Sequence, residues 1–193
     1  MQYVMTPATH STESLVWWDG AFTEQELDWL QQKAKAASQG AYVGSDIGGV
    51  INKNVRRSNL DWLNNTPETV WVFQRLASVA SKLNAQFFNF DLLGFGEPLQ
   101  LTNYDQSENG MYGWHQDYGG EVSRKLSLTV QLAHPSDYEG GDFEIFESAK
   151  PKQARKQRGL ILAFPSFTVH QVTPVTKGSR QSLVAWISGA PFK

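Results

Sequence analysis

A histidine and an aspartate separated by one residue, His115 and Asp117, followed by His170 at the end of an apolar run, constrain this chain more than any other feature. Two imidazoles and one carboxylate are the ligands of the facial triad that holds Fe(II) on one side and leaves the opposite side open. Ligands of one ion must converge, so the segments near 115 and near 170 have to lie together. Side chains alternate along a strand, which sends His115 and Asp117 to one face while Gln116 points away. Leu160 to Pro165 reads as a buried strand leading into a turn, which predicts a second strand that delivers His170. Arg180 opens a further run, Gln181 to Ser188, where Leu183 and Ala185 alternate with Ser182, Val184 and Trp186. A guanidinium pairs two-point with a carboxylate in a way an ammonium cannot, so Arg180 suits a dicarboxylic co-substrate.

The strand pattern is clearest in Leu126-Ser127-Leu128-Thr129-Val130-Gln131-Leu132, an unbroken alternation that predicts one face on the core. Phe87 to Leu93, Leu99 to Tyr104, Phe143 to Phe146, Gly159 to Phe164, Val169 to Val172 and Gln181 to Ser188 are further predicted strands, separated by Gly, Pro and Asp signals. Short strands at this spacing suit a sandwich or jelly roll. Two helices precede them. Thr23 and Glu26 form a capping box, Phe22 and Leu27 occupy staple positions, and Leu27, Leu30, Ala34 and Ala37 share a face, which predicts a helix from about Glu24 to Gln39. Thr66-Pro67 starts a second helix whose stripe is Val70, Phe73, Leu76, Ala77, Ala80 and Leu83. Both are expected on the outside of the β structure. Between them, Ala41 to Asn59 is glycine-containing and polar, a flap over the site or a surface connection.

Tyr112-Gly113-Trp114-His115-Gln116-Asp117, the Glu139-Gly140-Gly141-Asp142 turn, and Phe164-Pro165-Ser166 leading to His170 and Arg180 resemble the prolyl 4-hydroxylase-type 2-oxoglutarate/Fe(II) dioxygenases. The resemblance covers residues 86 to 190. It implies a double-stranded β-helix, a distorted jelly roll, as a mainly β (α+β) fold with two N-terminal helices packed outside. It implies Fe(II) on His115, Asp117 and His170, and the distal carboxylate of 2-oxoglutarate on Arg180. Tyr104 resembles the tyrosine that helps hold the co-substrate, with Tyr112 as the other candidate, and Trp186 resembles a tryptophan near the same pocket. The implied reaction is hydroxylation of a C–H bond, first of all in a peptidyl proline as in procollagen-proline 4-dioxygenases, with release of succinate and CO2. Dioxygen is then consumed and ascorbate (vitamin C) serves as reductant. Collagen-type members carry lysine where Arg180 stands, so a small molecule or nucleobase is the alternative substrate. A binding jelly roll without turnover is the third possibility, and an intact triad beside Arg180 argues against it.

At 193 residues the chain fits a single oxygenase domain, 1–85 supplying helical support and flap and 86–190 the catalytic core. A hydrophobic content of 40%, with 12% aromatic residues, supports a packed interior, and no window reaches a membrane span. There is no cysteine, so His and carboxylate are the available metal ligands. Met1 to Ser14 lacks the apolar segment of a secretory signal, and with a ferrous centre this leads us to expect a cytoplasmic protein. A net charge of −2 argues against nucleic acid. Lys150 to Arg158 is basic and reads as a solvated hairpin connection, with an acidic partner as the alternative. His10 and His134 read as surface residues, Asp142 and Glu144 as hairpin polarity, and Trp114 as core, since alternation aims it away from the metal.

Overall fold

Alternating strands have two faces, and in this chain both are buried. The computed structural model describes residues 13–41, 51–119 and 122–191. Its elements in chain order are β1 (Val16–Trp18), α1 (Glu24–Lys35), β2 (Gln39–Gly40), β3 (Arg56–Arg57), β4 (Asn59–Leu63), α2 (Val70–Leu83), β5 (Leu92–Phe95), β6 (Leu99–Asp105), β7 (Met111–His115), β8 (Arg124–Gln131), β9 (Tyr138–Gly140), β10 (Phe143–Phe146), β11 (Pro151–Gln153), β12 (Ile161–Pro165), β13 (His170–Val172) and β14 (Val175–Gly189). The larger sheet runs β1-β12-β8-β14-β6-β4-β2, with β5 and β9 also paired to β14. The smaller runs β11-β10-β13-β7-β3. This is the jelly roll expected from the sequence.

On the larger sheet Leu126, Leu128 and Val130 of β8, Leu99 and Leu101 of β6, and Leu183, Ala185 and Ile187 of β14 face the two helices in one apolar cluster. Burial of such side chains contributes about 1.5–3 kcal/mol each and fixes the strand register, because a one-residue slip would expose the whole set. The other face carries Ser127, Thr129 and Gln131 of β8 and Gln100 and Thr102 of β6, all buried as well. The expectation of a single core face on β8 is therefore corrected: a second sheet covers the polar face. A polar interior between two sheets is the physical mark of a ligand site.

The helices follow their caps. Thr23 Oγ1 accepts from Glu26 N at 3.3 Å and Glu26 Oε2 accepts from Thr23 N at 2.8 Å, closing the capping box. Leu27, Leu30 and Ala34 are buried against the sheet. The helix ends at Lys35 rather than Gln39, because Gln39 and Gly40 pair with Leu60 and Asn59. In the second helix the turn at Pro67 precedes Val70, and Val72 and Val79 are buried in place of the expected Val70 and Ala77. Phe87 and Phe88 do not begin a strand. The helix runs on into a π turn, Asn84–Phe88, closed by left-handed Asn89. Asn84 clamps it, its amide bonding both the carbonyl and the N–H of Phe90 at 2.9 Å.

The basic stretch is tied down rather than free. Arg158 bonds Glu24 and Asp28 of α1, and Lys156 bonds Asp142. Trp114 is not core: it is 42% exposed on the outer side of the smaller sheet, edge-on to Phe146. Of the flap expected over 41 to 59, residues 42–50 lie outside the described residues. Its described end contains β3, whose Arg56 pairs with Tyr112 of β7. Among the described residues no helix is long and apolar enough to cross a membrane.

Candidate metal and co-substrate site

Strands β7 and β13 pair so that His115 stands opposite His170. Each imidazole is oriented in the same way. Nδ1 of His115 lies 2.8 Å from Gly113 O, and Nδ1 of His170 lies 2.9 Å from Thr168 O. A carbonyl can only accept, so each Nδ1 carries a proton, which leaves each Nε2 as the nitrogen available to a metal. Those two nitrogens point at one carboxylate: His115 Nε2 is 3.8 Å from Asp117 Oδ1, and His170 Nε2 is 3.7 Å from Oδ2. One ligand atom from each of the three residues lies within 4.8 Å of the others.

Asp117 reaches this position by a different route from the one expected. Strand β7 stops at His115. The N–H groups of Asp117 and Tyr118 then both donate to Ser166 O at 2.9 Å, folding the chain back onto the turn after β12. Ser127 Oγ donates to Asp117 Oδ2 at 2.7 Å and lies 3.0 Å from Ser166 Oγ. Burial by itself would raise the Asp117 pKa. The imidazoles of His170 and His115, the Ser127 hydroxyl and the Trp186 indole more than offset it, so the carboxyl ionises below its ordinary range. Burial, with His170 adjacent, pushes His115 down to about 3. A neutral imidazole and an ionised carboxylate are the states a metal ligand requires.

Arg180 lies deeper between the sheets. It is 1% exposed and is cross-strand partner to Tyr104, whose ring is 5.4 Å from the guanidinium carbon. Nη2 donates to Gln131 Oε1 at 2.9 Å, while Nε and Nη1 are buried without a partner. Burying an unpaired cation is costly, and this one has two donors aimed into the interior, so the residues fit an anionic group such as a carboxylate. Trp186 is buried on the same face of β14, its indole ring 3.8 Å from the Arg124 guanidinium carbon. Arg124 is itself held by Glu97 at 2.5 and 2.6 Å. Tyr112 stacks on His115 with ring centroids 3.4 Å apart.

A profile of the 2OG-Fe(II) oxygenase superfamily matches residues 99–188, the span that carries His115, Asp117, His170 and Arg180. A PKHD-type hydroxylase of Nitrosomonas europaea is 31% identical over 177 residues, covering 88% of this chain and 76% of that protein. The chain belongs to the 2OG-Fe(II) oxygenase superfamily. A PKHD-type hydroxylase of Idiomarina loihiensis is 37% identical over 91 residues, 46% of this chain and 41% of that protein. The fold of this oxygenase is shared with a Pseudomonas putida prolyl-4-hydroxylase (TM-score 0.72, 16% identity, 93% of this chain and 94% of that one). It is also shared with a Trichoplax adhaerens prolyl hydroxylase in complex with a hypoxia inducible factor peptide fragment (TM-score 0.74, 15% identity, 91% and 84% covered). Membership implies Fe(II) and 2-oxoglutarate, and the donor set fits both.

All seven residues expected at the site lie around this interior: His115, Asp117 and His170 clustered so that they could hold a metal ion, Arg180 with Tyr104, Tyr112 on His115, and Trp186 beside Asp117. Ser127, Gln131, Arg56 and the Glu97–Arg124 pair were missed. Ser127 and Gln131 had a signal, since they are the polar half of the β8 alternation. Arg56 had none, because β3 is two residues long and meets β7 only in the folded chain.

Proposed function

We propose that this oxygenase hydroxylates a C–H bond, with a peptidyl proline as the leading substrate, and that its ligand set is His115, Asp117 and His170 with Arg180 on the distal carboxylate of 2-oxoglutarate. Fe(II) and 2-oxoglutarate, when bound, would activate O2 as the oxidant, one oxygen atom going to the substrate hydroxyl and the other to succinate as CO2 is released. The protein's own contribution is orientation. Gly113 O and Thr168 O fix the two imidazoles, Ser127 fixes the carboxylate, and the polar interior from Arg180 to Asp117 aligns a dicarboxylate between cation and metal. The observation that carries this is the buried Arg180 with two unpaired donors in the same interior as a two-histidine, one-carboxylate cluster.

Hydroxylation is supported by the relatives named as hydroxylases, and a peptide substrate by the peptide complex of the Trichoplax enzyme. Ascorbate as reductant, one catalytic domain and a cytoplasmic location complete the proposal. The test is succinate release by purified protein with Fe(II), 2-oxoglutarate and O2, using proline-containing peptides beside free amino acids, with hydroxylation read by mass spectrometry. Peptide-dependent succinate formation that is lost in Asp117→Ala is the expected result. Turnover at the parental rate in Asp117→Ala would refute the ligand assignment. The second reading, a small carboxylic substrate, is favoured by one further side chain, Arg56.

A further inference from the structure

Arg56 and Arg180 are the two buried arginines among the described residues, and each has a glutamine oxygen on Nη2. Arg180 is met by Gln131. Arg56, 6% exposed, donates from Nη2 to Gln100 Oε1 at 2.7 Å and from Nε to Ser58 Oγ at 2.9 Å. Neither has a carboxylate within ion-pair distance among the described residues. Three less buried arginines differ, Arg75 with Glu26, Arg124 with Glu97 and Arg158 with Glu24 and Asp28, while Arg57 and Arg155, also without an ion pair among the described residues, are not buried. An arginine keeps its charge in a protein, so a buried one held only by neutral groups calls for an anion.

The place of Arg56 says which anion. Its guanidinium carbon sits 4.6 Å from the centre of the Tyr112 ring, and Tyr112 stacks on the metal-position residue His115. Arg56 therefore abuts the metal position from the side of β3. Gln100, which holds it, stands four residues from Tyr104 on the same face of β6, a displacement of roughly 13 Å along the strand at ~3.3 Å per residue. Tyr104 is the cross-strand partner of Arg180. The two cations thus lie at different levels of one interior. 2-Oxoglutarate has two carboxylates, one for Arg180 and one for the metal, and none remains for Arg56.

We propose that Arg56 binds a carboxylate of the prime substrate, so that the substrate carries a carboxylate close to the carbon that is hydroxylated. This rests on the 2-oxoglutarate oxygenase function above and narrows its substrate class. The carboxylate has three sources: a free amino acid, a C-terminal residue, or an acidic side chain beside the target residue in a peptide.

The test compares matched probes that differ only in that charge. These are L-proline against L-prolinamide, a peptide ending in proline against its C-terminal amide, and a capped Glu-Pro peptide against its Gln-Pro counterpart. Binding is measured by calorimetry under anaerobic conditions, with Fe(II) and 2-oxoglutarate present. At least one carboxylate probe should bind parent protein about tenfold to a hundredfold more tightly than its amide, the worth of a charged hydrogen bond. The pair that discriminates identifies the source. Arg56→Met should abolish the discrimination. Gln100→Glu should abolish it too, by placing a carboxylate on Nη2 while leaving the arginine and its packing intact, which guards against a folding defect. Equal binding of acid and amide in every pair, or a preference that survives in Gln100→Glu, would overturn the proposal. A 2-oxoglutarate titration of the same samples separates the two levels. Unaltered co-substrate binding with no carboxylate discrimination sinks only the Arg56 assignment, whereas failure to bind 2-oxoglutarate sinks the oxygenase function itself.

Discussion

Ser127 Oγ donates a 2.7 Å hydrogen bond to Asp117 Oδ2, and the serine is itself fully buried on the polar face of β8. The contact joins the larger sheet to a carboxylate just beyond the end of β7, so it sets where Asp117 stands beside the two imidazoles. Groups that orient metal ligands are worth about 10- to 100-fold in metal affinity. Ser127→Ala is expected to weaken Fe(II) binding by that factor, with Co(II) as an air-stable spectroscopic probe. Co-substrate contacts at Arg180 are untouched by the change. Metal affinity equal to the parent's would show that Ser166 and the backbone alone hold Asp117.

The alternation on β8 was legible in the sequence, and it placed Leu126, Leu128 and Val130 in the core correctly. The burial of its polar half was not legible, because periodicity reports that two faces differ and cannot report that a second sheet of the same chain covers the polar one. The convergence of His115, Asp117 and His170 was legible for the converse reason: the residue types able to hold one metal ion are few, and ligands of one ion must converge. Phe87 and Phe88 misled because aromatic residues suit strands and buried helical turns equally, and the clamp by Asn84 decides between them. Trp114 misled because large aromatics are usually buried, whereas here alternation past His115 carries it to the outer surface. Arg56 stayed invisible, since only long-range pairing brings it to Tyr112.

The core face gives a simple check of the fold. Leu183 is fully buried in the middle of β14, between β6 and β8, while Leu93 on β5 is 83% exposed. Leu183→Ala removes packed methyl groups and leaves a cavity, at a cost of about 2–5 kcal/mol. Leu93→Ala is expected to fall within about 0.5 kcal/mol of parent. Urea unfolding of the two variants measures both, and equal midpoints would contradict the placement of β14 at the centre of the larger sheet.

Stability should also depend on pH through His115 and Asp117. Burial and the neighbouring His170 depress His115 to about 3, against about 6.5 for a free imidazole. Between those values the unfolded chain binds a proton that the folded chain does not, so stability rises with pH and is lost as pH falls from about 6.5 towards 3. Asp117, also lowered, adds in the same direction: its contribution is present above the ordinary carboxylate range and is lost as the pH drops through its folded value. One proton can contribute at most about 1.4 kcal/mol per pH unit. Metal-free parent protein should therefore lose more stability between pH 7 and pH 5 than His115→Gln does. Parallel losses in the two proteins would mean His115 titrates normally.

The co-substrate assignment depends most on Arg180, whose Nη2 is 2.9 Å from Gln131 Oε1 and whose other donors are buried and unpaired. If those donors take the distal carboxylate of 2-oxoglutarate, Arg180→Leu leaves that anion facing an apolar wall while His115, Asp117 and His170 remain in place. Charged hydrogen bonds contribute about 1.5–3 kcal/mol each, so the affinity for 2-oxoglutarate should fall by about tenfold to several hundredfold. Arg180→Lys should lie between, since the charge survives and the fork does not. Gln131→Glu is the more incisive change. It keeps the guanidinium and its packing but supplies an internal carboxylate, and it should weaken 2-oxoglutarate binding without altering Fe(II) binding. Titrating Fe(II) and 2-oxoglutarate into the same samples reads both quantities. Parental co-substrate affinity in both Arg180→Leu and Gln131→Glu would place the distal carboxylate on another cation, with Arg56 the one remaining buried arginine to hold it.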